Sequence, residues 1–514
     1  MVDLEVNTLD IPFIITSKDG ERINLFQSLL FDIHLSTEVE TFNEVLDLVK
    51  MHLDKGITSR RIGGRSLKLL ILNLYLAWKN EGASCVAISR DNNSYKARSR
   101  YNSLGISRIV VDVLDLLIDR GYVEQKIGWA DPLTNRSYYT RIWGTKKLQA
   151  LFEEVEFSPL DLEYDSNRET IILRDGEGED IEYADATAVC RMRAVVERYN
   201  NFLSHFFIDI PTLESGAICV PSGKSENWFY VNNGPNFTYR VFNRNSFELG
   251  GRFYGGWWQN IPKEYRPRIF IDDRPTSEVD YRNNHVVLLY NLKDLEMPRS
   301  DAYSISKPSE LSHISEYRSL VKKLLLMAVN ADDEKKTFQA FRSDAARGSA
   351  EAKLKDNQLQ LVLDLLKDKH HPIADRLCSG AGIKLQFIDS QITEKIITRF
   401  MDNEVPILII HDSYIVPDGQ ESFLEGTMTW AFQEVTGKTY VPMKEDTHHP
   451  ERYLPESPDD WSNAEAVEEA IKWRYDPERC DRYLRELKRF VDAKELPVNV
   501  GSGWDVSDYL EADR

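Results

Sequence analysis

The segment that most limits how this chain can fold is Val405 to Pro417, VPILIIHDSYIVP, in which two apolar runs flank a short polar interruption. The pattern predicts a tight hairpin with His411, Asp412 and Ser413 at its tip. Strands this apolar are buried, so Asp412 stands on a rigid support at an end that solvent reaches, as a metal ligand requires. A second acid is placed alike in Ser277 to Asn291, SEVDYRNNHVVLLYN, where a strand ends at Val279 and Asp280 and a helix starts near Val286. Two aspartates at strand ends, if the fold joins them, suit a pair of divalent cations that activates a hydroxyl and stabilises a leaving pyrophosphate.

Between these acids lies SEYRSLVKKLLLMAVN, Ser315 to Asn330. Arg318 and Lys322 are four apart there and share a helix face, which lets them grip a triphosphate by charge and hydrogen bonds. Upstream, Gly250 to Pro262 reads GGRFYGGWWQNIP. Its glycines permit close backbone approach, and Arg252, Gln259 and Asn260 offer donors to a phosphate strand or to base edges. Trp257 and Trp258 read as core, although such rings can also stack on bases. Asp272 and Asp273 read as a turn. The adjacent pairs His370-His371 and His448-His449 lack a metalloprotease spacing and point to different sides of an element, so they predict no metal site.

The amino-terminal third has a different texture. A helix is expected around Thr41 to Leu53, a second apolar-periodic stretch at Ser66 to Trp78 and a third helix at Ile106 to Arg120, stopped by Gly121. Then GYVEQKIGW and YYTRIWGT, joined by a turn at ADPLTNRS, read as a hairpin. Helix, helix, hairpin is the outline of a winged helix, a module that can lay its second helix in the major groove. Arg98, Arg100 and Arg108 are its candidate DNA contacts. The same helix faces carry Asp112, Asp115 and Asp119, which would suit protein packing instead.

The order of the blocks in the second half resembles family A DNA polymerases and, more distantly, the single-subunit phage-type RNA polymerases. The blocks are Gly251-Arg252 followed by Gln259 to Pro262, an Asp-Tyr at a strand end, an Arg-x3-Lys helix, and His-Asp after an apolar strand. The resemblance covers about residues 237 to 445. It implies that Asp280 and Asp412 bind two Mg²⁺, with Mn²⁺ as an alternative, and that Arg318 and Lys322 hold the phosphates of an incoming nucleoside triphosphate, beside Tyr281 and His285. It also implies that Arg252, Gln259 and Asn260 touch a DNA primer-template or RNA, with His411 near the primer end. Ser413 follows the second Asp as in the RNA-polymerase branch, where the DNA enzymes carry Glu. His285 stands where the DNA enzymes place a Glu that blocks a ribose 2′-hydroxyl. Leu326 and Asn330 stand where aromatic residues stack on nucleotide and template.

The expected fold is α+β: a polymerase-like palm with an antiparallel sheet and reduced helical fingers, preceded by a winged-helix domain. The expected domains are an N-terminal helical segment (1–59), the winged helix (60–155), a linker and thumb-like region (156–236), palm and fingers (237–445) and an acidic helical C-terminal region (446–514). Lys and Arg number 64 against 83 Asp and Glu, a net charge of −19, so nucleic acid is repelled unless cations are concentrated locally. Five cysteines lie far apart without a CxxC pair, which suits reduced thiols. With no signal-like start and no long apolar run, the expectation is a cytoplasmic protein without a membrane partner. The sequence thus points to a template-directed nucleotidyltransferase. The alternatives are a catalytically inactive, polymerase-like DNA-binding regulator or replication accessory acting through its winged helix, and a polymerase relative adapted for defence or mobile-element maintenance.

Overall fold

The structure is a computed structural model. It describes residues 14–445 apart from 26, 54–55, 57–59, 80–84, 132–135, 156–160, 215–216, 222–227, 233–235 and 347, and then 465, 467–468, 471–472 and 478–494. The tip of the expected hairpin turn, the pair His448-His449 and most of the acidic stretch after residue 445 lie outside the described residues.

Residues 28 to 164 gather round one apolar cluster. Strand β1 (Ser28–Leu30) is followed by α1 (Glu40–Met51), whose Phe42, Val45, Leu46 and Val49 are buried at i, i+3, i+4 and i+7. Helix α2 (Arg61–Lys79) buries Leu67, Leu70, Ile71 and Leu74, and leads to β2 (Cys85–Ile88). Helix α3 (Ile109–Asp119) buries Val110, Val113, Leu114 and Leu117, and precedes β3 (Val123–Lys126) and β4 (Thr140–Gly144). The sheet order is β1-β2-β4-β3. Beyond β3 and β4 the hairpin continues as Trp129–Asp131 paired with Arg136–Tyr138, where the Trp129 and Tyr138 rings stack at 4.9 Å. The helices and hairpin therefore fall where periodicity and turn residues put them. The described residues before α2 do not stand apart: α1 shares the core of α2 and α3, and β1 pairs in parallel with β2.

A three-stranded sheet follows, in which β5 (Ile171–Leu173) runs parallel to β7 (Tyr239–Asn243) and β7 pairs antiparallel with β8 (Ser246–Tyr254). Between them in sequence lie α4 (Thr187–Leu203) and β6 (Ile208–Asp209). Helix α4 buries Val189, Val196, Tyr199 and Leu203, and the Tyr199 hydroxyl donates to the carbonyl of Ile407 at 2.6 Å. That stretch, expected as linker and thumb, is thus packed into the main core.

The main sheet has six strands: β6, β9 (Phe270–Ile271), β10 (Arg274–Tyr281), β12 (Ser413–Pro417) and β11 (Leu408–Ile410) in that order, with β13 (Met443–Glu445) also on β10. Asp272 and Asp273 form the tight turn between β9 and β10, with φ of 48° and 58°. They lie at the end of β10 opposite Asp280, so the turn reading holds. Packed around this sheet are α5 (Asn284–Asn291), α6 (Tyr317–Asn330), α7 (Glu334–Asp344), α8 (Asp356–Lys369), α9 (Gly382–Asp402) and α10 (Glu421–Thr436). Helix α11 (Asp481–Lys494) docks at the far side through Arg482 to Asp209, helped by Arg479 just before it, which bonds Asp273. No described helix is long and apolar enough to cross a membrane.

Candidate active site

The hairpin of β11 and β12 closes on the pair Ile410 and Ser413, leaving His411 and Asp412 as a two-residue loop. His411 takes a left-handed backbone, φ 55°, which costs an L-residue about 1–2 kcal/mol. On the neighbouring strand Asp280 stands opposite Ser413, and the Tyr281 amide donates to the carbonyl of Asp412 at 3.2 Å. Asp280 and Asp412 are therefore neighbours at one end of the sheet. Glu278, two residues back on the same face as Asp280, is buried and accepts from the Ser413 hydroxyl at 2.6 Å. Burial first, then the charges of Asp412 and Glu278, push the Asp280 carboxyl up to about 7, against the pull of Lys322 and Lys263. This crowding of acids is what a divalent cation relieves. Among the described residues no group of three or more His, Cys, Asp or Glu forms a ready metal cage. Two carboxylates are nonetheless a fitting donor set for Mg²⁺, which keeps waters and takes substrate phosphates as its other ligands.

Behind the aspartates, Arg252 is fixed by a buried acid that the sequence reading missed. Its Nε donates to Oδ2 of Asp389 at 2.8 Å, and Oδ1 of the same carboxylate accepts from Asn284 Nδ2 at 2.9 Å. Asp389 is fully buried on α9. Burial pushes its carboxyl up to about 6 despite the Arg252 guanidinium beside it. Asp389 thereby ties β8, α5 and α9 together. The signal was present: Leu385, Asp389, Ile392, Ile396 and Phe400 make one buried helical stripe, and an acid in such a register needs a cationic partner. Gly251 makes the approach possible. At φ 80°, a Cβ there would meet the Phe242 ring at 2.7 Å and Ser390 Oγ at 2.9 Å. The close approach at this glycine is thus to neighbouring side chains, one of them on α9.

Arg252 Nη2 also lies 3.2 Å from Nε2 of His285. Burial and the Arg252 charge lower the His285 ring to about 4, so it is neutral and accepts that bond. His411, lowered to about 4 by burial and by Arg252, sits edge-on to the Tyr254 ring at 5.5 Å. On α6 the buried positions include Leu320, Leu324 and Ala328, which leaves Arg318, Lys322 and Leu326 along the opposite stripe. All three line a cavity of about 850 Å³ that also takes in Asp280, Asp412, Arg252 and His285. Lys263, Arg282, Arg299 and Lys444 join them, so seven Lys and Arg face three Asp, the third being Asp301, in a chain of net charge −19. Such a local reversal draws polyanions to one place.

Other expected residues lie elsewhere. The Tyr281 side chain turns into the core, 2% exposed, where its hydroxyl donates to the carbonyl of Met428 and its ring meets Tyr414 and Phe432. It borders the cavity only at its edge, which removes its ring as a nucleotide contact. Gln259 donates to the carbonyls of Phe253 and Ile409, and Trp258 Nε1 also donates to Ile409, so both brace β11. Trp257 and Trp258 are buried, and Asn260 is exposed outside the cavity. Asn330 sits at the end of α6 with its amide on the carbonyl of Leu326. His370 is a satisfied core histidine between the Tyr290 hydroxyl and the carbonyl of Ala302.

In the amino-terminal module, Arg98 and Arg108 are exposed. Arg100 is not available to DNA: it pairs with Glu169, Glu182 and Asp185, and lies 3.6 Å from the centre of the Tyr183 ring. Arg100 thus joins the module to the next sheet. None of the three lines the 850 Å³ cavity.

No protein-family model matches the sequence, and no curated protein matches it. Among solved structures, the chain aligns with the POL domain of Pol1 from M. smegmatis, in complex with DNA primer-template and dNTP. That alignment covers 80% of this chain and 66% of the other, just under two thirds of its length, at 10% identity and a TM-score of 0.28.

Proposed function

We propose that this chain is a template-directed nucleotidyltransferase, in which a primer hydroxyl attacks the α-phosphate of a nucleoside triphosphate bound in the 850 Å³ cavity. One observation carries the reading: Asp280 at a strand end and Asp412 in the adjoining hairpin loop stand together in a cavity where seven Lys and Arg outnumber three Asp. In this reading the six-stranded sheet is the palm, α6 to α8 are shortened fingers, and the helix-helix-hairpin module is a winged helix.

Asp280 and Asp412 hold two Mg²⁺, which when bound lower the pKa of the attacking hydroxyl and offset the charge that develops on the phosphates. Arg318 and Lys322 position the triphosphate from α6. Arg252, anchored by Asp389, directs its guanidinium to the primer side, with neutral His285 at its flank. Glu278, hydrogen-bonded to Ser413 and 3.6 Å from Arg266, supplies a third carboxylate beneath the pair where the DNA enzymes' second-strand Glu is lacking.

The test is primer extension with Mg²⁺ or Mn²⁺, supplying deoxyribonucleotides and ribonucleotides in separate reactions. Asp280→Asn and Asp412→Asn should each lower the rate about a thousandfold, a loss of ~4 kcal/mol of transition-state stabilisation. Extension that continues in both variants refutes the assignment. The regulator reading predicts duplex binding without incorporation. It is weakened by α3, whose outward residues include Asp112, Asp115 and Asp119, with Asp115 paired to Arg90.

A further inference from the structure

Residues 292 to 316 join α5 to α6 without a motif in the sequence, yet Arg299, Asp301 and Tyr303 from this segment line the cavity. Asp301 is bonded to Arg318, one of the two cations assigned to the triphosphate. Nε of Arg318 donates to Oδ2 of Asp301 at 2.7 Å and Nη2 donates to Oδ1 at 3.0 Å, so the two groups meet side by side at two points. Solvent reaches both, with 63% of the Arg318 side chain and 36% of the Asp301 side chain exposed. The carboxylate is fixed from behind. Its Oδ1 also accepts from the Tyr303 amide at 3.1 Å, and the carbonyl of Ala302 beside it is bonded by buried His370 at 2.9 Å. Lys322 stands four residues on, about 6 Å further along the axis of α6. It is exposed in the same cavity and has no carboxylate partner among the described residues.

A carboxylate that takes two guanidinium donors side by side uses the same donors that a phosphate takes with two of its oxygens. Asp301 thus holds on Arg318 the place that the proposed reaction gives to a phosphate. An ion pair this exposed adds little to stability, so a more highly charged ligand can exchange for it. Acid does not open it in the usual carboxylate range, because the hydrogen bonds from Arg318 hold the Asp301 carboxyl below that range. We infer that Asp301 is a specificity-determining residue of the cavity, which occupies Arg318 until the phosphate chain of an incoming nucleoside triphosphate displaces it. Ligands are thereby sorted by the length of their phosphate chain. A single phosphate is served by open Lys322 and leaves the pair closed. A polyphosphate extends along α6 to Arg318 and takes the place of Asp301, which returns when pyrophosphate leaves. The inference rests on the nucleotidyltransferase reading and adds to it an acid whose removal strengthens binding, opposite in sign to Asp280 and Asp412.

The experiment compares ATP, inorganic triphosphate and AMP, each with Mg²⁺, as ligands of the full chain by calorimetry, without primer. Asp301→Asn keeps the size of the side chain and an acceptor for the Tyr303 amide. It should tighten ATP and triphosphate about three- to fivefold, the size of an exposed ion pair that no longer has to be broken, and change AMP less than about 1.5-fold. In an Arg318→Gln background, which itself weakens ATP and triphosphate, the same substitution should give no gain. Unchanged or weaker triphosphate binding in Asp301→Asn would show that Asp301 does not compete for Arg318, and would overturn the inference. An equal gain for AMP, or a gain that persists beside Arg318→Gln, would reduce the effect to general charge and overturn it as well. Wild-type protein that binds none of the three ligands overturns the nucleotidyltransferase reading and the inference with it, a failure distinct from every one in which the wild type binds.

Discussion

Around α2 and α3 several basic side chains reach for the protein's own oxygens, whereas around Asp280 and Asp412 they converge on open volume. Arg65 donates to the carbonyl of Leu104, Lys68 to that of Thr37, and Arg141 to those of Leu25 and Tyr139. Arg90 and Arg100 pair with acids. In the cavity Arg252 and Arg318 are also paired, Arg252 with Asp389 buried behind the wall and Arg318 with Asp301 in it, yet both still line the open volume. A basic residue inside an acidic chain therefore says little until its partners are known. The amino-terminal module uses its cations as mortar; the sheet end collects them into a field.

The largest effect should come from removing the acid that holds a cavity cation. Asp389→Ala takes the fully buried counter-charge from half-buried Arg252 and should cost about 3 kcal/mol of stability, read as a large drop in the denaturant midpoint. A loss below about 1 kcal/mol would mean that Arg252 finds another partner and that the cavity wall is not built as described.

A smaller effect concerns pH and divalent ions. The Asp280 carboxyl, raised to about 7, binds a proton more tightly in the folded chain than when unfolded, so without metal this group makes stability fall as pH rises from about 4 to 7. Mg²⁺ must displace that proton. Thermal stabilisation by Mg²⁺ or Mn²⁺ should therefore grow from pH 6 to pH 8, with affinity about tenfold weaker at the lower pH, and Asp280→Asn should abolish the dependence. Stabilisation independent of pH in the parent protein would place the ions elsewhere.

The smallest effect is expected in the amino-terminal module. Arg98→Glu combined with Arg108→Glu should change duplex DNA affinity less than about threefold, because exposed Asp119 and half-buried Asp112 of α3 already oppose phosphate at that surface. A loss of a hundredfold or more, with the salt dependence of binding reduced, would return DNA contact to this module and erase the contrast between the two regions.

Much of this arrangement was legible because it is local. The two apolar runs of the hairpin Val405 to Pro417, the four-residue spacing of Arg318 and Lys322, and the acid at the end of β10 are patterns that backbone geometry enforces within a few residues. Asp389 was legible in principle as an acid within an apolar helical stripe, but the identity of its partner, 137 residues away, was not. Tyr281 looked like a site residue because it follows Asp280, and strand alternation sends adjacent side chains to opposite faces, so its ring went to the core. Arg100 reads as a DNA contact in the sequence because its acidic partners, Glu169, Glu182 and Asp185, lie far along the chain.

The amino-acid sequence alone pointed to the three helices of the amino-terminal module, the helix of Arg318 and Lys322 and the hairpin of Asp412, and to which of their side chains share a face, because helix and strand periods act through neighbours in the chain. It also settled that Asp280 and Asp412 each stand at a strand end. The tertiary structure decided that those ends are adjacent, that seven cations meet around them, and that Asp301 enters from a segment without a pattern of its own. Charge–charge energies and hydrogen bonds depend on distance in space, and that distance is fixed only when the sheet and its helices close on one another.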